Sequence, residues 1–325
     1  MTASLPHLTA ADLESALDFP SLVEALRAGF AKGAEAPLRH VHVVAPQAHG
    51  RLLLMPAWRE GEVAGVKLVT VFPENRARGI ATVAALYVLL DGETGHPRAL
   101  VDGEVLTLRR TGAASALAST YLSRADSETL LVVGTGGLAP YMAAAHCAVR
   151  PIRRVLVWGR NGERAAALAA RLAQQGLPSV MANELDAALA QADIVTCATT
   201  ATEPVLHGAA VRRGTHVDVV GGFTRAMREA DDALVSRAEI YVDTYAGALA
   251  EAGDLVQPME RGVITRDSVR AELAELVRGT KSGRTSGDSI TLFKSVGTAL
   301  EDLYAAQLAV ARLGQAPRDA RPAQT

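Results

Sequence analysis

The sequence predicts an α/β protein, a Rossmann-type doubly wound parallel sheet joined to an α+β domain. Three observations predict it. After Arg124-Ala125-Asp126-Ser127 the chain alternates short apolar strands with helices, the rhythm of a parallel sheet covered on both faces. That region opens on Leu131-Val132-Val133-Gly134-Thr135-Gly136-Gly137-Leu138-Ala139, an apolar strand running through a glycine turn into a helix. The part before it reads differently. It has five strand-like pieces and the turn Asp91-Gly92-Glu93-Thr94-Gly95, which signals an antiparallel hairpin.

The elements follow in order. Thr9 precedes an apolar-periodic run to Leu17. Pro20 starts a second helix to about Lys32, with Leu22, Leu26 and Phe30 on one face. Strands are expected at His40–Val44, Arg51–Met55, Val63–Val71, Ala81–Leu90 and Pro97–Val101, then a helix of small residues from Leu106 to Tyr121. In the second region, strands are expected at Thr129–Val133, Arg154–Trp158, Ser179–Met181, Asp193–Ala198, His216–Val220 and Glu239–Val242. Helices are expected at Pro140–Val149, Gly162–Gln175 and Glu184–Gln191. A last helix spans Ser295–Leu313, and Gln315–Thr325 reads as a frayed tail.

Composition narrows the function. A length of 325 residues suits two domains, and 49% hydrophobic content is ample for buried cores. Net charge is only −2 with the signs interspersed, so no basic stripe recommends a nucleic-acid partner. Cys147 and Cys197 lie far apart in apolar segments, which suits two buried thiols rather than a disulfide framework, and no metal-ligand spacing occurs. The N-terminus has neither the basic start nor the apolar run of a signal peptide, and no apolar run is long enough to span a membrane. A cytoplasmic protein is expected.

In the glycine turn, Gly134 permits the tight bend, Gly136 lets backbone approach a pyrophosphate, and Ala139 lets helix pack on strand. Free N–H groups at the helix start favour phosphate oxygens. Gly134, Thr135, Gly136, Gly137, Leu138 and Ala139 are therefore expected to bind a dinucleotide. The second strand ends in Trp158-Gly159-Arg160-Asn161, where NAD readers carry a carboxylate for the ribose. Arg160 and Asn161 point instead to NADPH, with NADH possible. Thr199 and Thr200 follow a strand and are expected either to line the crevice on the nicotinamide side or to be ordinary turn hydroxyls, and Val219 and Gly221 are expected among the cofactor-binding residues.

Three cations stand on ordered elements of the first region: Arg39, Lys67 within Val66-Lys67-Leu68-Val69, and Arg110 opening Arg110-Thr111-Gly112-Ala113. A buried cation is costly unless it faces an anion or a cleft, and two guanidiniums with an ammonium suit a small carboxylate. Singly, each could equally be a surface charge or a structural ion pair.

At this point the chain resembles the ornithine cyclodeaminase/mu-crystallin family. The carriers are Leu54-Met55-Pro56, Gly65-Val66-Lys67, Arg110 through Ala118, the Gly134 turn, and Ile290-Thr291-Leu292-Phe293-Lys294-Ser295-Val296-Gly297. The resemblance implies a homodimer. It implies a substrate and dimerisation domain at 1–124, completed by a C-terminal helix at 298–325, and an NAD(P)-binding domain at 125–297. It also implies that Arg39, Lys67 and Arg110 bind a substrate carboxylate, with Lys67 and Arg110 catalytic. The family includes cyclodeaminases, alanine dehydrogenases, reductases of cyclic ketimines, and crystallins that bind cofactor and small ligands.

Departures choose among these. Cyclodeaminases and the alanine dehydrogenases carry a Gly-Asp-x-Pro-Gly-Lys-like loop; here Phe223 stands in place of its Asp, followed by Thr224. The Glu that cyclodeaminases place two residues before the Met of Leu-Met-Pro is Leu53. Gripping and deprotonating a substrate amine needs such carboxylates. Reduction of a cyclic ketimine carboxylate by NADPH therefore fits best. A cyclodeaminase or amino-acid dehydrogenase is the enzymatic rival, and a non-catalytic crystallin-like binder is the rival of another class. Met55, Phe223 and Thr224 are expected beside the substrate. Asp288 is expected to orient Lys67 or the substrate nitrogen. His146 is read as a packing or surface residue.

Overall fold

The computed structural model describes residues 5–315, so the expected tail lies almost wholly outside the described residues. In chain order the elements are β1 (His7–Leu8), α1 (Ala10–Ala16), α2 (Phe19–Lys32), β2 (His40–Ala45), β3 (Gly50–Arg59), β4 (Val63–Val71), β5 (Val83–Asp91), β6 (Pro97–Asp102), α3 (Gly103–Leu122) and β7 (Thr129–Val133). There follow α4 (Ala139–Val149), β8 (Arg154–Trp158), α5 (Gly162–Gln174), β9 (Ser179–Met181), α6 (Leu185–Leu189), β10 (Ile194–Cys197), β11 (His216–Val219) and α7 (Asp232–Arg237). The chain ends with β12 (Glu239–Val242), α8 (Tyr245–Glu251), α9 (Gly253–Glu260), β13 (Val269–Glu272), α10 (Leu273–Val277), β14 (Thr291–Lys294) and α11 (Ala299–Gln315). Two compact units result: residues 1–110 with 299–325, and residues 111–298.

In the first unit six strands form one sheet in the order β1-β6-β5-β4-β3-β2. All neighbours are antiparallel except β1, which runs parallel to β6. Thr9 and Asp12 close a capping box on α1, and Asp18 caps α2 by accepting from Ser21 N at 3.0 Å, with Pro20 in the first turn. The buried stripe of α2 includes Leu22, Leu26 and Phe30, and α2 packs on α11. Burying each such side chain contributes roughly 1.5–3 kcal/mol.

β3 runs four residues past the expected end at Met55 and carries Pro56 inside it. A proline removes one ladder donor, which is tolerated where one side of the strand is unpaired. β2 pairs β3 only as far as Leu54, so Pro56 faces β4 alone.

The second unit is an eight-stranded sheet in the order β13-β12-β14-β11-β10-β7-β8-β9, with every neighbour parallel. The order reverses between β7 and β10, the switch point where a doubly wound sheet opens a crevice beyond its strand ends. The strands are apolar on both faces, as parallel sheets require. Leu131, Val133, Val195, Val217 and Leu292 pack to one side, while Leu130, Val132, Val155 and Val157 pack to the other with Ala143, Ala165 and Leu172. Two strands escape the pattern read from sequence. Neither β13 nor β14 was expected, and β14 enters between β11 and β12.

Cys197 is buried and free, whereas Cys147 is only partly buried, which corrects the expectation of two buried thiols. Among the described residues no helix is long and apolar enough to cross a membrane.

Candidate active site

Alternation along β4 turns Lys67 to the covered face of the first sheet. Its cross-strand neighbours are Met55 on β3 and Tyr87 on β5. All three are buried. Gly65, two residues earlier, leaves room for the phenol of Tyr87, which a Cβ there would strike. Lys67 Nζ donates to Asp302 Oδ1 at 2.9 Å and to Thr107 Oγ1 at 3.2 Å, and lies 2.8 Å from Asp302 Oδ2. Arg110, on α3, donates through Nε to Asp302 Oδ1 at 3.0 Å and through Nη1 to Glu301 Oε2 at 2.5 Å.

Lys67, Arg110, Glu301 and Asp302 are thus one buried network. The structure brings together two of the expected cations and adds two carboxylates from the first turn of α11. The charge of Arg39, partly buried on the approach to β2, is felt by Lys67. Burial pushes the Lys67 ammonium down to about 8, with Arg110 and Arg39 adding to the fall and Asp302 opposing it. Burial beside Asp302 raises the Tyr87 phenol well above its ordinary value.

The expected role of Asp288 needs correction. Its side chain is 70% exposed and lies 3.2 Å from Arg213. Lys67 is oriented by Asp302. The missed signal is Glu301-Asp302 inside the apolar run Ala299 to Val310, where carboxylates are expected to be buried only with partners.

In the second unit, Gly134 ends β7 at φ 121°, and a Cβ there would lie 2.6 Å from Ala198 O. Only glycine fits that bend beside β10. At Gly136 and Gly137 a Cβ would meet no protein atom within 4 Å. No side chain caps α4, which starts at the buried Ala139. An exposed backbone cradle therefore meets an uncapped helix N-terminus, an arrangement suited to phosphate oxygens.

Arg160 is exposed just beyond β8. Asn161 serves as N-cap of α5, accepting from Arg164 N at 2.9 Å, which the expectation of a cofactor role alone did not include. Thr199 follows the end of β10 and Gly221 follows β11; both are tied to the buried Glu229. Thr200 is exposed beside Thr199. Val219 is different: its side chain is in the hydrophobic core and its carbonyl accepts from Ser295 N at 3.3 Å. It packs the sheet, a correction to its expected place among the cofactor-binding residues. Phe223 is 47% exposed in the loop after β11, with Thr224 beside it.

The segment Ile290–Gly297 is β14 followed by a pinned turn. The buried Asp243 accepts from Val296 N at 2.8 Å, Gly297 N at 2.7 Å and Ser295 Oγ at 3.2 Å. His146 is fully buried, its Nε2 3.3 Å from Asp218 Oδ2, so it is an interior rather than a surface residue.

The comparisons with known proteins agree with this arrangement. A solved structure of Thermococcus litoralis Δ1-pyrroline-2-carboxylate reductase in complex with NADH and L-proline matches with a TM-score of 0.90 at 38% identity, covering 96% of this chain and 98% of that one. A Δ1-pyrroline-2-carboxylate reductase of Paracoccus denitrificans is 41% identical over 302 residues, covering 92% of this chain and 94% of its own. An archaeal alanine dehydrogenase dimer with bound NAD matches with a TM-score of 0.87 at 28% identity, covering 95% of each chain. The family model for the ornithine cyclodeaminase/mu-crystallin family matches residues 7–315, and the chain belongs to that family.

Proposed function

We propose that the chain is a reductase of cyclic ketimine carboxylates, taking Δ1-pyrroline-2-carboxylate and Δ1-piperideine-2-carboxylate to L-proline and L-pipecolate at the expense of NADPH, with NADH also accepted. The observation that carries this reading is the charge of the first unit's cluster. Lys67 and Arg110 are buried cations on ordered elements and the charge of Arg39 reaches Lys67, a grouping of cations suited to a substrate carboxylate. The similarity to reductases of that name supports it.

The residues present fit a dinucleotide. The open cradle at Gly136 and Gly137 and the N-terminus of α4 would hold its pyrophosphate, and Arg160 would pair with a 2′-phosphate. When bound, the cofactor supplies a hydride. Everything else falls to side chains. Arg110 and Arg39 fix the substrate carboxylate and so orient the ring. Lys67, kept protonated by Asp302, adds to that grip and can donate the proton that the imine nitrogen requires. Phe223 offers an apolar ring where amine-handling relatives carry an acid, which favours ring methylenes over a free ammonium.

A homodimer accompanies this reading. The edge strand β2 exposes Val41, Val43 and Val44, a row that a second copy would cover. A cytoplasmic site of action is part of the same proposal.

The test is NADPH and NADH oxidation at 340 nm by purified protein with each cyclic imine, beside ornithine with NAD. Rapid oxidation with the imines and none with ornithine supports the reductase. Ammonia from ornithine without imine reduction would replace it by a cyclodeaminase, and tight coenzyme binding without any turnover by a binding protein.

A further inference from the structure

Glu229 is fully buried in the second unit. Its Oε1 accepts from Thr199 N at 2.7 Å and Thr199 Oγ1 at 2.8 Å, and its Oε2 accepts from Gly221 N at 2.8 Å. Every one of these partners donates, which favours the carboxylate against the burial that raises its pKa. Asp254, also fully buried, accepts through Oδ1 from Glu229 N at 2.7 Å and Ala230 N at 2.9 Å. Its Oδ2 lies 3.1 Å from the ammonium of Lys294, the last residue of β14. One ammonium faces two carboxylates, and a net charge of −1 stays inside.

Thr199, Gly221 and Lys294 stand at the carboxyl ends of β10, β11 and β14, three adjacent strands. They occupy the half of the sheet beyond the switch point from β7 and β8, the strands that lead to the glycine turn and Arg160. In a doubly wound sheet each half takes one mononucleotide, so a nicotinamide lies over this second half.

Resting on the cofactor reading above, we infer that Glu229 is a positioning residue for the nicotinamide end. It fixes the backbone at Thr199 and Gly221 and places an uncompensated negative charge there. Passing a hydride to the imine carbon leaves the reduced, neutral ring as a pyridinium of charge +1. A buried anion favours the pyridinium, and with it hydride donation. Lys294 pairs directly with Asp254 and also favours the ionised form of Glu229, which burial and the charge of Asp254 oppose, while Asp254 holds the backbone at Glu229 in place.

The test is the affinity of the full-length protein for NAD, NADH, NADP and NADPH, measured by calorimetry and coenzyme fluorescence. Glu229→Gln and Asp254→Asn each bring the cluster to neutrality. In each, affinity for the oxidised coenzyme relative to the reduced one should fall about tenfold, the scale of one unit charge acting at short range in a poorly screened site. The double variant Asp254→Asn with Lys294→Met keeps the net charge at −1, and its ratio should stay within about twofold of the wild type. Should Glu229→Gln not fold, Asp254→Asn makes the same change of charge while keeping the acceptor for Glu229 N. Equal weakening of oxidised and reduced forms would make Glu229 a backbone clamp only and overturn the inference. Failure of the wild-type chain to bind any of the four coenzymes would instead overturn the cofactor reading on which it stands.

Discussion

The two units each bury a cluster of charges, and the clusters differ in make-up. In the first, Lys67 and Arg110 meet Glu301 and Asp302, and Arg39 adds a third cation. In the second, Lys294 meets Asp254 while Glu229 stays unbalanced. The way the charges are held differs too. The carboxylates of α11 bind side-chain cations, whereas Glu229 and Asp254 spend their oxygens mostly on backbone N–H groups. A cluster built from side chains can exchange one partner for a substrate. A cluster built on main-chain donors fixes loops. Buried charge is expensive in both, which marks both as more than packing.

The largest effect should come from removing a cation of the first cluster. Lys67→Met should lower kcat/KM for the cyclic imine by about a thousandfold or more, the cost of losing a buried, hydrogen-bonded charge partner. Coenzyme affinity should be unchanged in a fluorescence titration. Turnover at the wild-type rate would remove Lys67 from the mechanism. Next, Asp302→Asn strips both cations of a shared carboxylate. It should cost about 3–5 kcal/mol of stability, the usual penalty for breaking a buried pair, as read from urea unfolding.

Gly136→Val should act only on the second unit. A Cβ there meets no protein atom within 4 Å, so the melting temperature should hold while coenzyme affinity drops about tenfold or more through loss of the phosphate cradle. The pH profile then separates the clusters. Lys67 works as a cation, and its ammonium is brought down to about 8. Its contribution is complete below that pH and fades above it, so kcat/KM should fall as pH rises through about 8 while coenzyme affinity stays flat. A flat kcat/KM to about pH 9.5 would mean that the reaction does not need the proton on Lys67 of the free enzyme, and would remove it as the proton donor. Smallest, Arg160→Ser should cut the preference for NADPH over NADH about tenfold, one charge-assisted contact's worth, read as the ratio of the two kcat/KM values.

The contrast also explains what could be read from the sequence. The glycine turn, its strand and its helix are local, so Gly134 to Ala139 are legible from spacing alone. Lys67 and Arg110 were legible as charges stranded in apolar or small-residue elements. Their counter-ions were not, because nothing local links residue 67 to residue 302; Asp288 seemed the nearer choice and proved to be a surface residue paired with Arg213. β14 is four residues long and carries a lysine, so its pattern is weak, and only pairing with β11 and β12 makes it a strand. Glu229 and Asp254 carry no local pattern that singles them out. Their significance comes from backbone donors that the fold delivers to them.

The first unit is interrupted, and that has a consequence for biosynthesis. Lys67 and Arg110 leave the ribosome some two hundred residues before Glu301 and Asp302. Until α11 emerges, their ammonium and guanidinium have no buried counter-charge, and closing the sheet over them would be costly. The uninterrupted second unit can fold meanwhile, since domains fold as units while the chain grows. Translation order thus makes the second unit the earlier of the two to mature, and assembly of the Lys67–Arg110 cluster waits for the last helix.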